Sequence, residues 1–164
     1  MSGTHVANHQ SNKYEGYRYR PLWEDIHEEA GGPKCLANEI VSVAMMDYFE
    51  ILAGFKNNTA QCNQTELEAF FKGPLFGLCT DMTPEYVMQF CRDQASKMVL
   101  LYDIRLKERG KYELFKIDSS EVVGVYKSAL IARQNGAKKN GVTLEYYDKM
   151  RSRKYGDKGV FIYG

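Results

Sequence analysis

Thr65–Arg92, TELEAFFKGPLFGLCTDMTPEYVMQFCR, packs aromatic and aliphatic residues densely and carries its own stop and start signals. Glu66 to Phe71 read as a helix that Gly73-Pro74 ends, because a proline ring pushes the residue before it out of helical geometry. Thr83 then offers a side-chain oxygen to the free amides of a new helix. Pro84 suits its first position, and Glu85 sits beside its positive end. The stretch predicts a buried corner between two helices, the second running from Pro84 to about Lys97.

Upstream, Leu36 to about Lys56 has the strongest helical pattern. Leu36, Ile40, Val43, Ala44, Asp47, Ile51 and Phe55 trace one row at three- and four-residue steps, and Val41, Met45, Tyr48 and Leu52 trace a second. A helix with so much apolar surface is expected in the middle of a bundle. Pro21–Ala30, PLWEDIHEEA, reads as a short amphipathic helix stopped by Gly31-Gly32-Pro33. Residues 1–16 are polar and aperiodic and read as a disordered tail. Tyr14, Tyr17, Arg18, Tyr19 and Arg20 form an aromatic and basic stretch that either stacks on bases or, the preferred reading, pins the N-terminus to the domain.

Downstream of Lys97 the period changes. Val99–Leu106 and Tyr112–Ile117, joined through Lys107–Lys111 with its glycine, predict a β-hairpin at about 99–117, with Tyr102, Ile104 and Leu106 on one face. A helix continued through residue 109 competes with it, because Lys, Glu, Arg and Leu are good helix formers. Ser119-Ser120-Glu121 then suggests a helix using Val122, Val123, Val125, Tyr126, Ala129, Leu130 and Ile131, stopped at Asn135-Gly136. Gly159–Tyr163 reads as a short strand or a docked apolar tail. The expected fold is α+β: a mainly helical single domain with a β-hairpin, its compact part at 17–134 and a basic C-terminal segment, 135–164, packed on it.

Glu68, Phe70-Phe71, Phe76, Leu78, Thr80-Asp81 and Glu85-Tyr86 resemble the EXFF…F…LTD…EY pattern of small uncharacterised proteins from Firmicutes phages and integrative elements. The resemblance covers about Ala37 to Ala95 and departs from the pattern at Leu75 and Pro84. It implies a setting and no chemistry. In that setting a small protein without catalytic motifs is expected to bind and inhibit a host nucleic-acid-directed defence machinery, in the anti-CRISPR or anti-restriction manner. Its partner would be a host protein or ribonucleoprotein, such as a CRISPR effector.

A second resemblance lies near the C-terminus. Ala137, Asn140, Gly141 and Val142, followed by a helix from Leu144 to Arg153 that Thr143 can cap, are similar to the A-x-x-N-G-[IV] turn of small phage helix-turn-helix proteins. It implies an alternative function, a DNA-binding transcriptional regulator of a mobile element. Thr143, Glu145, Tyr146 and Lys149 would face bases, and Lys138, Lys139, Arg151, Arg153 and Lys154 would contact phosphates.

The charge distribution suggests either a polyanion-binding end or, equally, a solvated surface. The 164 residues carry a formal net charge of +1, yet Arg133–Lys158 holds eight Lys or Arg against three Asp or Glu. An overall acidic mimic and a uniformly basic binder are both excluded. With 44% hydrophobic residues, twelve tyrosines and eight phenylalanines, the chain can bury a core without staples. Cys35, Cys62, Cys79 and Cys91 lack zinc-ligand spacing. No phosphate-cradling glycine loop, nucleophile elbow or H-E-x-x-H appears. An acidic metal site from Asp81, Asp103 and Glu113 beside Lys116 is one of many sets the sequence permits. His5 and His9, four apart, lack a third ligand, and His27 lacks a partner carboxylate. The expectation is therefore a binding protein with no catalytic residue, cofactor or metal. Without a signal peptide or a membrane-length apolar run, it is expected in the bacterial cytoplasm.

Overall fold

The computed structural model describes residues 16–18, 33–55 and 62–156. The expected tail, the 21–30 helix and the 159–163 strand, with His5, His9 and His27, lie outside the described residues. Six helices and one three-stranded antiparallel sheet are present among them, so the mainly helical α+β class and its hairpin hold. The chain forms two compact units that meet in sequence at Lys97 and Met98, where the pattern changes period. Gly16–Arg18 belong with the second.

The first unit contains α1 (Pro33–Leu52), α2 (Gln64–Lys72), α3 (Pro74–Cys79) and α4 (Pro84–Ser96). Asn63 starts α2 through a full capping box: its side chain accepts from the Glu66 amide at 2.9 Å, and Glu66 accepts from the Asn63 amide at 3.0 Å. Gly73 ends α2 as expected, but Pro74 then opens a further short helix where the sequence suggested only a turn. Thr83 caps α4 through the Tyr86 amide at 3.2 Å.

The core of this unit is an aromatic corner. Phe71 meets Tyr48 edge-on at 5.4 Å and Phe76 at 5.5 Å, and Phe70 stands 5.9 Å from Phe76. Tyr48 also donates to Glu68 at 2.8 Å, which ties α1 to α2. Burial and that carboxylate push the Tyr48 phenol up to about 12, while the bond holds the Glu68 carboxyl below its ordinary value.

Both expected rows of α1 exist, but they have different fates. Val41, Met45 and Tyr48 of the second row are buried, as are Ala44, Asp47 and Phe55 of the first, whereas Leu36, Ile40 and Val43 of that first row are exposed. From Val41 to Glu50 the helix is buried on nearly every side and packs against α2, α3 and α4, the central place its apolar surface predicts, while the Leu36–Ile40–Val43 stripe stays open.

Cys91 is fully buried among these helices, and its thiol lies 3.6 Å from the Met45 carbonyl. Burial pushes that thiol up to about 12, so it is protonated at neutral pH and shielded from reagents. A soluble maleimide should modify exposed Cys62 within the mixing time and reach Cys91 only when this unit opens. Equal labelling of both by peptide mass spectrometry would contradict the packing.

The second unit contains β1 (Tyr102–Glu108), β2 (Lys111–Lys116), β3 (Val122–Tyr126), α5 (Ala129–Asn140) and α6 (Leu144–Tyr155), in sheet order β1-β2-β3. Tyr102 pairs with Lys116, Ile104 with Leu114 and Leu106 with Tyr112, the shared face the alternation predicts. Gly110 makes the turn at a positive φ of 73°.

The helix expected from Ser119 is corrected. Val122–Tyr126 is a third strand, and a helix begins only at Ala129, with Ser128 as its cap. The β-branched valines favour extended backbone, Gly124 weakens a helix, and the apolar spacing satisfies either period. Asn135-Gly136, read as a stop, lies inside α5.

Candidate nucleic-acid interface

α5 ends at Gly141, whose left-handed backbone (φ 64°, ψ 39°) directs its amide to the Ala137 and Lys138 carbonyls, while the Val142 amide reaches Ala137 at 3.1 Å. This is a glycine cap of the kind that ends a helix and turns the chain in one step. Thr143 accepts from the Tyr146 amide at 3.3 Å and starts α6. Three residues therefore separate two twelve-residue helices. Gly136, Ala137, Asn140, Val142, Tyr147 and Met150 are buried, and Lys138, Lys139 and Glu145 are exposed.

Two contacts fix this turn. Buried Asn140 uses its whole amide: Oδ1 accepts from the Leu101 and Tyr102 amides at 2.8 and 3.1 Å, and Nδ2 donates to the Tyr102 and Gly136 carbonyls at 2.8 and 2.7 Å. On the other side, Arg18 donates from its backbone to the Gly141 carbonyl at 2.8 Å and from its guanidinium to the carbonyls of Asn140 and Val99. A Cβ on Gly141 would sit 2.9 Å from the Gly16 carbonyl oxygen. Arg18 thus pins the N-terminal segment to this unit.

Gly136 makes room for Tyr147. A Cβ there would lie 2.5 Å from the Tyr147 hydroxyl, and that fully buried hydroxyl has no hydrogen-bond partner among the described residues. Burial, with Asp103 nearby, raises the phenol's pKa above its ordinary value. Because no bond is lost, Tyr147→Phe should change stability by less than about 1 kcal/mol in urea unfolding. A loss above about 2 kcal/mol would mean that the hydroxyl is bonded.

The predicted contact residues divide sharply. Lys138 and Lys139 project from the end of α5, and Lys149 from α6 lies 3.1 Å from Glu145 and 5.3 Å above the Tyr146 ring. Thr143 is committed to its cap, and Tyr146 is buried instead of facing outward. Arg153 is exposed but donates to the Met98 carbonyl at 2.6 Å. Lys154 stands 3.8 Å from Asp103.

Arg151 is the clearest correction. It is 3% exposed and donates from Nε to Asp103 at 2.8 Å, an aspartate only 1% exposed that also bonds the Tyr155 hydroxyl and the Ile104 amide. This guanidinium is sequestered inside the fold, where no phosphate reaches it. The pairing escaped sequence reasoning because 48 residues separate the partners. Arg133 was likewise missed; it grips Asp148 with two donors and locks α5 to α6.

The acidic metal set is not assembled. Asp103 pairs with Arg151, Glu113 with Arg105 at 2.9 Å and Lys116 with Asp118 at 3.3 Å. Among the described residues no three metal-ligating side chains come together, and no helix is long and apolar enough to cross a membrane. Lys138 and Lys139 are exposed at the end of α5 and Arg153 and Lys154 at the end of α6, while Lys149 is half-buried against Glu145. No family model, curated protein or solved structure matches this chain.

Proposed function

We propose that the second unit binds duplex DNA through the α5–α6 pair, as a regulator of a mobile element would. The observation that supports this reading is the three-residue glycine turn. With Gly136, Ala137, Val142, Tyr147 and Met150 holding the inner side, it leaves Glu145 at the start of α6 and Lys138-Lys139 at the end of α5 exposed. A helix so presented fits the major groove, while Lys138 and Lys139 reach flanking phosphates. Thr143, Tyr146 and Arg151 act as scaffold in this reading, and Glu145 and Lys149 face the bases.

Fluorescence anisotropy with a labelled duplex tests it. Binding should weaken steeply as salt rises from 50 to 200 mM, and Lys138→Glu/Lys139→Glu should flatten the slope by about two counterions. Absence of duplex binding at 50 mM salt would end this reading.

The alternative, stoichiometric inhibition of a host nucleic-acid-directed defence machinery, draws on the first unit. Leu36, Ile40, Val43, Leu75 and Leu78 are exposed there, more apolar surface than a helical unit needs for itself. An inhibitor would ignore free duplex and block a defence ribonucleoprotein at one-to-one stoichiometry.

A further inference from the structure

The exposed row of α1 lines an open trough of about 500 Å³ in the first unit. Leu36, Ile40 and Val43 form one wall and Phe70 of α2 the other, over a floor of Ala44 and Leu67. Leu36 is 63% exposed and Val43 46%. Leu36, Ile40 and Val43 recur at four- and three-residue steps, so the wall is a straight ridge of about two helical turns, the length over which a second helix can lie alongside.

The polar lining has one sign. Exposed Glu39 and Glu66 border the trough, Asp47 beside them is buried and already engaged, and no Lys or Arg lines it among the described residues. A partner with an apolar stripe and basic flanks matches both features at once. The chain's own 21–30 segment, with Glu24, Asp25, Glu28 and Glu29, has the wrong sign.

We infer that this trough is a docking surface for a basic amphipathic helix of another protein. The apolar ridge supplies burial, and the carboxylates select lysine- and arginine-flanked helices over acidic ones. The trough belongs to the first unit and the α5–α6 pair to the second.

The test titrates the full chain against two labelled helical peptides of roughly 15 residues, about four turns, sharing one leucine stripe and flanked by lysine in one and glutamate in the other. The lysine peptide should bind at least about tenfold more tightly. Glu39→Lys should narrow that gap, and Ile40→Lys should weaken the lysine peptide about tenfold or more. Continued protection of Cys91 from maleimide shows that each variant retains its fold. Equal affinity for the two peptides, or indifference to Ile40→Lys, would overturn the inference. A wild-type dimer in sedimentation that Ile40→Lys converts to monomer would also overturn it, making a second copy the occupant.

Discussion

Arg151→Met should destabilise the second unit by about 3–5 kcal/mol, because the carboxylate left behind is buried and has lost its closest cation. Asp103 is 1% exposed, and the groups that remain around it, Tyr155, Lys154 and the Ile104 amide, cannot replace a guanidinium at 2.8 Å. Asp103→Ala should cost a comparable amount by leaving Arg151 buried without its carboxylate. Replacing both partners, as Asp103→Leu/Arg151→Met, should lie much closer to wild type than either single change. The penalty of the singles comes mainly from the unmatched charge. Urea unfolding of the three variants decides this; additive losses would show that the pair is not coupled. The same result bears on function. Loss of DNA binding in an Arg151 variant would report a damaged fold, so Lys138 and Lys139 are the informative positions.

In the first unit the largest loss is expected from Phe71→Ala, about 3–5 kcal/mol. Phe71 is fully buried and meets Tyr48, Phe70 and Phe76 through ring contacts between 5.4 and 5.7 Å. Truncation removes these edge contacts and leaves a cavity between α1, α2 and α3 that rigid helices fill only in part. Phe71→Leu should recover part of the loss. Maleimide reaction at Cys91 follows the opening of this unit and should accelerate in proportion. An unchanged Cys91 rate in Phe71→Ala would place the thiol's protection elsewhere.

Elements defined by neighbours in sequence were legible. Gly73-Pro74, Thr83-Pro84 and Thr143 announce their boundaries because a cap involves residues two or three apart, and the 102–116 hairpin follows from alternation around Gly110. Where two periods fit the same residues, as in Val122–Tyr126, the sheet edge decided, and pairing with β2 depends on residues a strand away. Asn135-Gly136 misled for a related reason: a helix accepts glycine where a distant ring, here Tyr147, needs the space.

The candidate site was legible in outline only. The turn and its flanking lysines are local features. The fates of Tyr146 and Arg151 depended on side chains arriving from β1 and from within α6, and charge in the sequence does not distinguish a surface cation from a buried counter-ion. The exposed half of the Leu36–Ile40–Val43 row was hidden similarly, since apolar periodicity marks a face without saying what covers it.

The contact of Arg18 with the α5–α6 turn also bears on the order of synthesis. It joins positions 122 residues apart, with Arg20–Lys97 of the first unit lying between them in the chain. Closing a flexible loop of that length costs about 4 kcal/mol in chain entropy. A first unit already folded shortens the loop and lowers that cost. The segment with Arg18 leaves the ribosome before Arg20–Lys97 yet waits until Asn140 and Gly141 emerge to receive it. The second unit is thus completed by a piece made before most of the first.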